Sequence, residues 1–230
     1  MKSPSELRVP LEAGATTALA YPAERSTAGA ALILGHGAGA GQHSTFMVEF
    51  ARALSVLGVD VITFNFPYIE QRRRIPDRGP VLEACYRSVI AAVHREVRSA
   101  KHALFIGGKS MGGRIATQVA AADHTLPISG LVLLGYPLHP PGRPTQRRDK
   151  HLPAVGRPML FLQGARDAFG TPVELAPIID AIGPSASIHV VSGGDHSLKL
   201  ARKDPAAQAA VYDDVQRTMV EWMTNISTRP

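Results

Sequence analysis

The segment that most constrains the fold of this 230-residue chain is a five-residue turn, Gly108-Lys109-Ser110-Met111-Gly112. The apolar run 103–106 precedes it, and the helix-like stretch 114–122 follows it. A G-x-S-x-G sequence between a strand and a helix predicts a nucleophile elbow, in which a strained backbone exposes the serine hydroxyl. Glycines flank the serine because a Cβ at those positions would collide with the neighbouring strand and helix. We therefore expect Ser110 to act as a nucleophile.

A serine hydroxyl needs a base to take its proton, and the base needs a carboxylate that orients it. His196 follows the apolar strand 187–191 and the turn 192–195, so it lies on a loop that can reach the elbow. Asp167 lies in the loop that follows the buried-looking strand 158–162. We predict that His196 is the base and that Asp167 is the orienting acid.

Other acidic residues and histidines fit these roles less well. Asp195 is adjacent to His196, and neighbouring side chains in an extended loop diverge. The remaining candidates lie in predicted helices, in a strand or in an arginine-rich loop, where a solvated or packed side chain is the simpler interpretation. These candidates are Asp77, Asp180, His94, His102, His124 and His189.

A second signature is the glycine-rich loop 35–41, which follows the apolar strand 31–34 and precedes a helix near Ser44, a candidate N-cap. Phosphate binding is a weaker interpretation, because G-x-G-x-x-G is absent in the required register and no lysine follows to form a P-loop. The H-G-x-G pattern instead predicts an oxyanion hole. We expect the N–H of Met111 and that of Ala38, or alternatively Gly37, to be its donors.

Two histidines in and beside this loop, His36 and His43, are predicted to shape it rather than to take part in chemistry. The single cysteine, Cys85, lies on a predicted helix and is interpreted as a core or surface residue.

Strand-like and helix-like segments alternate along the chain, which predicts an α/β fold with a mainly parallel twisted sheet and helices on both faces. In such sheets, binding sites lie beyond the carboxyl ends of the strands, where all the candidate residues fall. A short hairpin is possible near 7–9 and 16–20. The expected strands are 31–35, 59–65, 103–107, 130–135, 158–162 and 187–191, and the expected helices are 44–57, 80–99, 111–122, 172–182 and 205–225.

Over residues 5–226 the chain resembles small, lidless α/β-hydrolases of the dienelactone-hydrolase-like group. The resemblance rests on the H-G-A-G loop, the G-K-S-M-G-G elbow, the segment Gly135-Tyr136-Pro137-Leu138-His139-Pro140-Pro141 and the order serine, aspartate, histidine. It implies an α/β-hydrolase fold and a serine hydrolase. The nucleophile of dienelactone hydrolases is typically cysteine, so Ser110 argues against that particular substrate. The pattern is also similar to a hydrolase-like domain in a eukaryotic chromatin-acetylating complex, where the fold can serve interaction.

Only about twenty residues, 137–157, occupy the place where many lipases insert a lid domain. We therefore expect a minimal lid or none, an open site and small or flexible substrates. Two basic loops follow strand ends nearby, and they could attract anionic substrates or simply solvate the surface. Their basic residues are Arg72, Arg73, Arg74, Arg78, Arg143, Arg147, Arg148 and Lys150.

The composition agrees with one α/β domain, expected to span 1–230. Hydrophobic residues make up 45% of the chain, and its net charge is +6. The start has no apolar signal region and no run approaches membrane-spanning length, so we expect a cytoplasmic protein with no membrane partner. The basic residues lack interleaved aromatics, so no nucleic-acid partner is expected. Scattered histidines predict no metal, and no cofactor is implied.

Taken together, the motifs predict a carboxylesterase-like serine hydrolase that acts on small ester or thioester substrates through an acyl-enzyme on Ser110. Two alternatives stay open. One is cleavage of another bond type by the same residues, and the other is a binding or scaffold module that keeps the fold with little or no catalysis.

Overall fold

The structure is a computed structural model that describes residues 3–25 and 29–228. Its strands are continuous apolar runs wherever both faces of the sheet are covered, as expected for buried parallel strands. They are β1 (Ser5–Pro10), β2 (Ala15–Tyr21), β3 (Ala30–Gly35), β4 (Asp60–Phe64), β5 (Ala103–Lys109), β6 (Gly130–Leu134), β7 (Met159–Gly164) and β8 (Ala186–Val191).

The helices alternate with these strands and carry apolar side chains on the face that meets the sheet. They are α1 (Thr45–Val56), α2 (Pro67–Glu70), α3 (Gly79–Glu96), α4 (Met111–Ala122), α5 (Pro172–Ile182) and α6 (Pro205–Ser227). In the described part of the chain, no helix has both the length and the apolarity that crossing a membrane requires.

The eight strands form one sheet in the order β1-β2-β4-β3-β5-β6-β7-β8. β1 and β2 form an antiparallel hairpin, and β2 pairs with β4 in the antiparallel direction. All the other pairs are parallel, from β4 across to β8. The carboxyl ends of β3, β5, β7 and β8 therefore meet at one edge of the sheet, and the loops that carry the candidate residues follow these ends.

Two layers of helices cover the sheet. The apolar faces of α3, α4 and α5 pack on one face, and those of α1 and α6 pack on the other. The sheet is therefore held between two separate cores, with Phe64 and Ile106 pointing into one and Phe105 and Leu134 into the other. This burial on both faces fixes β3 and β5 rigidly beneath the site.

All the expected strands and helices are present, including the hairpin, with some differences at their ends. β5 continues through Lys109, and α3 ends at Glu96, three residues before its expected end. The short α2 was not expected, because its four residues give too little periodicity to detect. Ser44 occupies the N-cap position of α1 as expected, but its side chain makes no capping hydrogen bond.

Candidate active site

Ser110 lies between β5 and α4 with φ 50° and ψ −112°, a conformation that L-residues rarely adopt. Close packing of backbone on backbone imposes this turn. An ideal Cβ at Gly112 would lie 2.2 Å from the carbonyl oxygen of Gly35, and one at Gly108 would lie equally close to that atom. The turn therefore requires glycine at both positions, and it lifts the Ser110 hydroxyl out of the sheet.

His196 bridges the two other candidate residues through its two ring nitrogens. Its Nε2 lies 2.8 Å from Ser110 Oγ, and its Nδ1 lies 2.8 Å from Asp167 Oδ2. The chain positions of the three residues are far apart, but the parallel sheet brings the loops after β5, β7 and β8 together. The structure thus places the three predicted residues in one hydrogen-bonded chain.

Asp167 is 1% exposed, and both oxygens of its carboxyl group accept hydrogen bonds from the protein. Gln163 Nε2 donates to Oδ2 at 2.8 Å, and the N–H of Phe169 donates to Oδ1 at 2.8 Å. Gln163 is itself buried and bonds to the carbonyls of Tyr136 and Gly170. With a donor on each of its oxygens, the Asp167 carboxyl group is held in place with Oδ2 facing His196 Nδ1.

The ring of Phe169 stacks on that of His196, with centroids 4.0 Å apart and planes 25° from parallel. The ring face of His196 is thereby covered while its Nε2 edge stays directed at Ser110. Stacking restricts rotation of the imidazole, which keeps its two nitrogens aligned with their partners.

His36 shapes the glycine-rich loop, as the sequence predicted. The N–H of Phe66 donates to His36 Nε2 at 3.1 Å, so the ring proton resides on Nδ1, which contacts the carbonyl oxygen of Gly37 at 2.8 Å. Burial lowers the pKa of His36 to about 4, which keeps the ring neutral. His43, expected to share this role, is exposed beside the loop.

The carbonyl of Gly37 accepts two hydrogen bonds, from His36 Nδ1 and from the N–H of Ala40. In a trans peptide, the carbonyl and the next N–H point in opposite directions. The N–H of Ala38 therefore points away from His36. Ala38 and Gly37 both line the cavity above Ser110.

The cavity has a volume of about 340 Å³ and opens to solvent. Aromatic and apolar side chains from α1 and from the loop after β7 line it, together with two lysines. The lining side chains other than Ser110 and His196 include Phe46, Met47, Phe169, Lys109 and Lys199. None of the arginines singled out in the sequence lines this cavity.

The basic loops are partly neutralised by carboxylates within them. Arg73 contacts Asp77 at 2.5 Å, and Arg147 contacts Asp149 at 2.7 Å. The segment 137–157, where a lid would be inserted, contributes no residue to the lining of the cavity. Tyr136, just before this segment, is buried and donates to the carbonyl of Arg148 at 2.6 Å.

The residues set aside in the sequence have other surroundings. Asp195 accepts the N–H groups of Ser197 and Lys199 and so forms the turn around His196. His189 lies on the edge strand β8 and pairs with Asp214 at 2.9 Å. Cys85 is buried in the core. Within residues 3–25 and 29–228, no three histidine, cysteine, aspartate or glutamate side chains cluster as metal ligands would.

Lys109, Gln163 and Phe169 were not found from the sequence. Lys109 occupies a variable position of the G-x-S-x-G pattern, and Gln163 ends a strand that reads as buried. One feature of the sequence could have indicated Lys109 and Gln163: each is a charged or amide side chain within a buried strand, and such a side chain needs a polar partner. The stacking of Phe169 on His196 depends on two loops that only the fold brings together.

The comparisons with known proteins agree with this fold. The family model described as an alpha/beta hydrolase domain matches residues 28–224. Among solved structures, a lidless α/β serine hydrolase from Xanthomonas campestris superposes with a TM-score of 0.74 at 20% identity, covering 96% of both chains. A dienelactone hydrolase from Anabaena variabilis gives 0.71 at 18% identity, covering 96% of this chain and 97% of its own.

A third similar structure is the esterase domain of a Rhodothermus marinus protein, with a TM-score of 0.72 at 13% identity. The match covers 97% of this chain and 99% of that domain. At these identities the likeness to solved structures concerns the fold alone.

Proposed function

This chain belongs to the α/β-hydrolase domain family, and on that premise we propose that it is a serine hydrolase that cleaves small ester or thioester substrates. The observation that carries the proposal is the pair of contacts made by His196, 2.8 Å from Ser110 Oγ and 2.8 Å from Asp167 Oδ2. This is the arrangement a serine needs to lose its proton as it attacks a carbonyl carbon.

In the proposed first step, Ser110 Oγ attacks the carbonyl carbon while His196 Nε2 takes the hydroxyl proton. Asp167 keeps the neutral ring in the tautomer with Nδ1 protonated and then stabilises the imidazolium. His196 returns the proton to the leaving alcohol or thiol, and an acyl-enzyme remains on Ser110. Water then attacks the acyl group, again through His196, and releases the acid.

We propose that the N–H groups of Met111 and Ala38 bind the oxyanion that forms in both steps. Met111 is the first residue of α4, where N–H groups have no partner within the helix. The orientation of the Gly37–Ala38 peptide, with its carbonyl held by His36, supports Ala38 over Gly37 as the loop donor. Losing one such donor typically costs about 3 kcal/mol of transition-state stabilisation.

The open cavity of about 340 Å³ and the absence of segment 137–157 from its lining support short acyl chains and no interfacial activation. A series of p-nitrophenyl esters from acetate to decanoate tests this proposal. We expect the highest kcat/KM with short chains, no jump in rate when the longer esters exceed their solubility, and loss of the enzymatic rate in Ser110→Ala. Turnover that survives in Ser110→Ala would contradict the proposal.

The same protein samples distinguish the two alternatives. The wild-type protein could cleave amide or carbon–carbon bonds and no ester or thioester, and lose this activity in Ser110→Ala. That result would indicate that the same residues act on another bond type. A folded protein that turns over no member of any panel would favour a binding module that keeps the family fold.

A further inference from the structure

Lys109 is buried although it carries an ammonium group next to the candidate nucleophile. It is the last residue of β5, and only 9% of its surface is exposed. Lysine is rarely buried without a partner, because removing its charge from water is costly. In the part of the chain that the structure describes, no carboxylate lies within ion-pair distance of Lys109 Nζ. The ammonium therefore has to be satisfied in another way.

The partner of Lys109 is the backbone of His196. Lys109 Nζ donates a short hydrogen bond to the carbonyl oxygen of His196. The next residue, Ser110, contacts the same histidine through Nε2 of its ring. Two consecutive residues of the elbow thus hold His196 at two points, its main chain and its side chain.

Because Gly135 has no side chain, there is room for the hydrogen bond between Lys109 Nζ and the His196 carbonyl. It follows β6 with φ 60°, and an ideal Cβ there would lie 2.6 Å from the His196 carbonyl oxygen and 3.1 Å from Lys109 Nζ. Any side chain at this position would push the two partners apart. The hydrogen bond therefore depends on how closely β5, the end of β6 and the loop after β8 pack together.

Burial and the charged groups around the ammonium shift its pKa in opposite directions. Burial lowers the pKa of Lys109 to about 8, while the carboxylates of Asp167 and Asp195 raise it. The ring of Phe46 from α1 lies 5.9 Å from Nζ. The surroundings thus keep an N–H donor at this position over the physiological range.

We propose that Lys109 is a positioning residue that fixes the main chain of His196, so that its ring stays in line with Ser110 and Asp167. This inference rests on the proposed function, because it gives Lys109 a role in the reaction of Ser110. A misplacement of about 1 Å in such a chain costs on the order of 100-fold in rate. Lys109 itself touches no reacting atom in this proposal.

The first test compares Lys109→Met with the wild type and with Lys101→Met. Lys101 is exposed just before β5, so its substitution makes the same chemical change away from the site. We expect Lys109→Met to lower kcat by about 10- to 100-fold with little change in KM. We expect Lys101→Met to behave like the wild type. Thermal unfolding of each variant shows that it is folded.

Chemical rescue distinguishes a positioning bond from general loss of packing. In Lys109→Ala, propylammonium has the atoms that the truncation removes, whereas propyltrimethylammonium has the same charge and no N–H donor. We expect propylammonium alone to restore activity. Equal effects of the two cations, including no effect of either, would overturn the inference, as would full activity of Lys109→Met.

A readout independent of turnover separates this inference from the proposed function. The downfield proton resonance of His196 Nδ1–H, assigned by its loss in His196→Ala, reports the contact with Asp167 in the resting protein. We expect it to broaden or vanish in Lys109→Met and to persist in Lys101→Met. An unchanged resonance in Lys109→Met would overturn the inference even if the enzyme proved active. An inactive wild type would instead count against the proposed function.

Discussion

At the scale of single residues, the carboxylate of Asp167 shows how strictly the site fixes one group. Both of its oxygens accept hydrogen bonds from the protein, from Gln163 at one oxygen and from Phe169 at the other. An amide in its place would have to direct an NH2 group at one of these donors. The position is therefore specific for a carboxylate and not only for a side chain of that size.

Asp167→Asn should consequently lower kcat by about 10³- to 10⁴-fold, because the wrong ring tautomer of His196 faces Ser110. Asp195→Asn is the matched control. One oxygen of Asp195 accepts both the Ser197 and the Lys199 N–H groups, and asparagine retains such an oxygen. Steady-state kinetics on a short ester compares the two variants. Similar losses in both would contradict the role given to Asp167.

Ser110, His196 and Asp167 could be predicted from the sequence because each follows a strand whose apolar pattern is clear. Their roles stay predictions until activity is measured. Lys109 and Gln163 could not be predicted, since their partners lie in segments distant along the chain. The role of His36 could be predicted in part. Its position in the glycine-rich loop indicated that it shapes the loop, but its hydrogen bond with Phe66 could not be predicted.

At the scale of elements, the elbow depends on how closely β3 approaches α4. The backbone of Gly35 in β3 lies against Gly112 in the first turn of α4, with no room for a side chain between them. This contact sets the angle at which α4 leaves the sheet and so the direction of the Ser110 side chain.

Gly112→Ala should lower the free energy of unfolding by about 3 kcal/mol, because the added methyl group meets backbone that cannot move aside. Gly79→Ala is the control within a helix. Its added Cβ would lie 3.5 Å from the nearest atom, in Glu83, so we expect a change within about 1 kcal/mol. Denaturant unfolding measures both. A Gly112→Ala protein as stable as the wild type would contradict this packing argument.

Most elements were predictable because strands buried on both faces read as unbroken apolar runs and the helices are amphipathic. Their ends were less predictable. β5 continues beyond its expected end at Gly107 through Gly108 and Lys109, where neither apolarity nor β propensity signals a strand. Pairing with β6 maintains the strand there, and this pairing is a tertiary effect.

At the scale of the whole molecule, buried His36 links stability to pH. The imidazole joins the loop after β3 to Phe66, two residues beyond the end of β4, and it is fully buried. Its pKa is about 4 in the folded protein against an ordinary value of 6.5, so the unfolded chain binds more protons between these values. The contribution of His36 is complete above pH 6.5 and is lost as the pH falls towards 4.

We expect this single group to account for roughly 2 kcal/mol of the destabilisation between pH 7 and pH 4.5. The measurement is the difference in unfolding free energy between pH 7 and pH 4.5 for the wild type, His36→Gln and the exposed-site control His102→Gln. His36→Gln should show a smaller difference than the other two proteins. The same pH dependence in all three would contradict the neutral, buried state of His36.

The positions of the basic residues also limit how the net positive charge can act on a substrate in the cavity. The net charge is +6, yet two of the arginines in the basic loops are paired with aspartates, and the cavity itself is lined by Lys109 and Lys199. The sequence showed the excess of basic residues but not their positions relative to the cavity. Those positions follow from loops whose paths depend on tertiary contacts.

Intact-mass analysis after treatment with a fluorophosphonate shows whether His196 and Asp167 activate Ser110, and it requires no knowledge of the substrate. We expect one covalent adduct on the wild-type protein, none on Ser110→Ala, and much slower labelling of His196→Ala. A folded wild-type protein that takes up no label, or an adduct that persists in Ser110→Ala, would contradict this activation of Ser110.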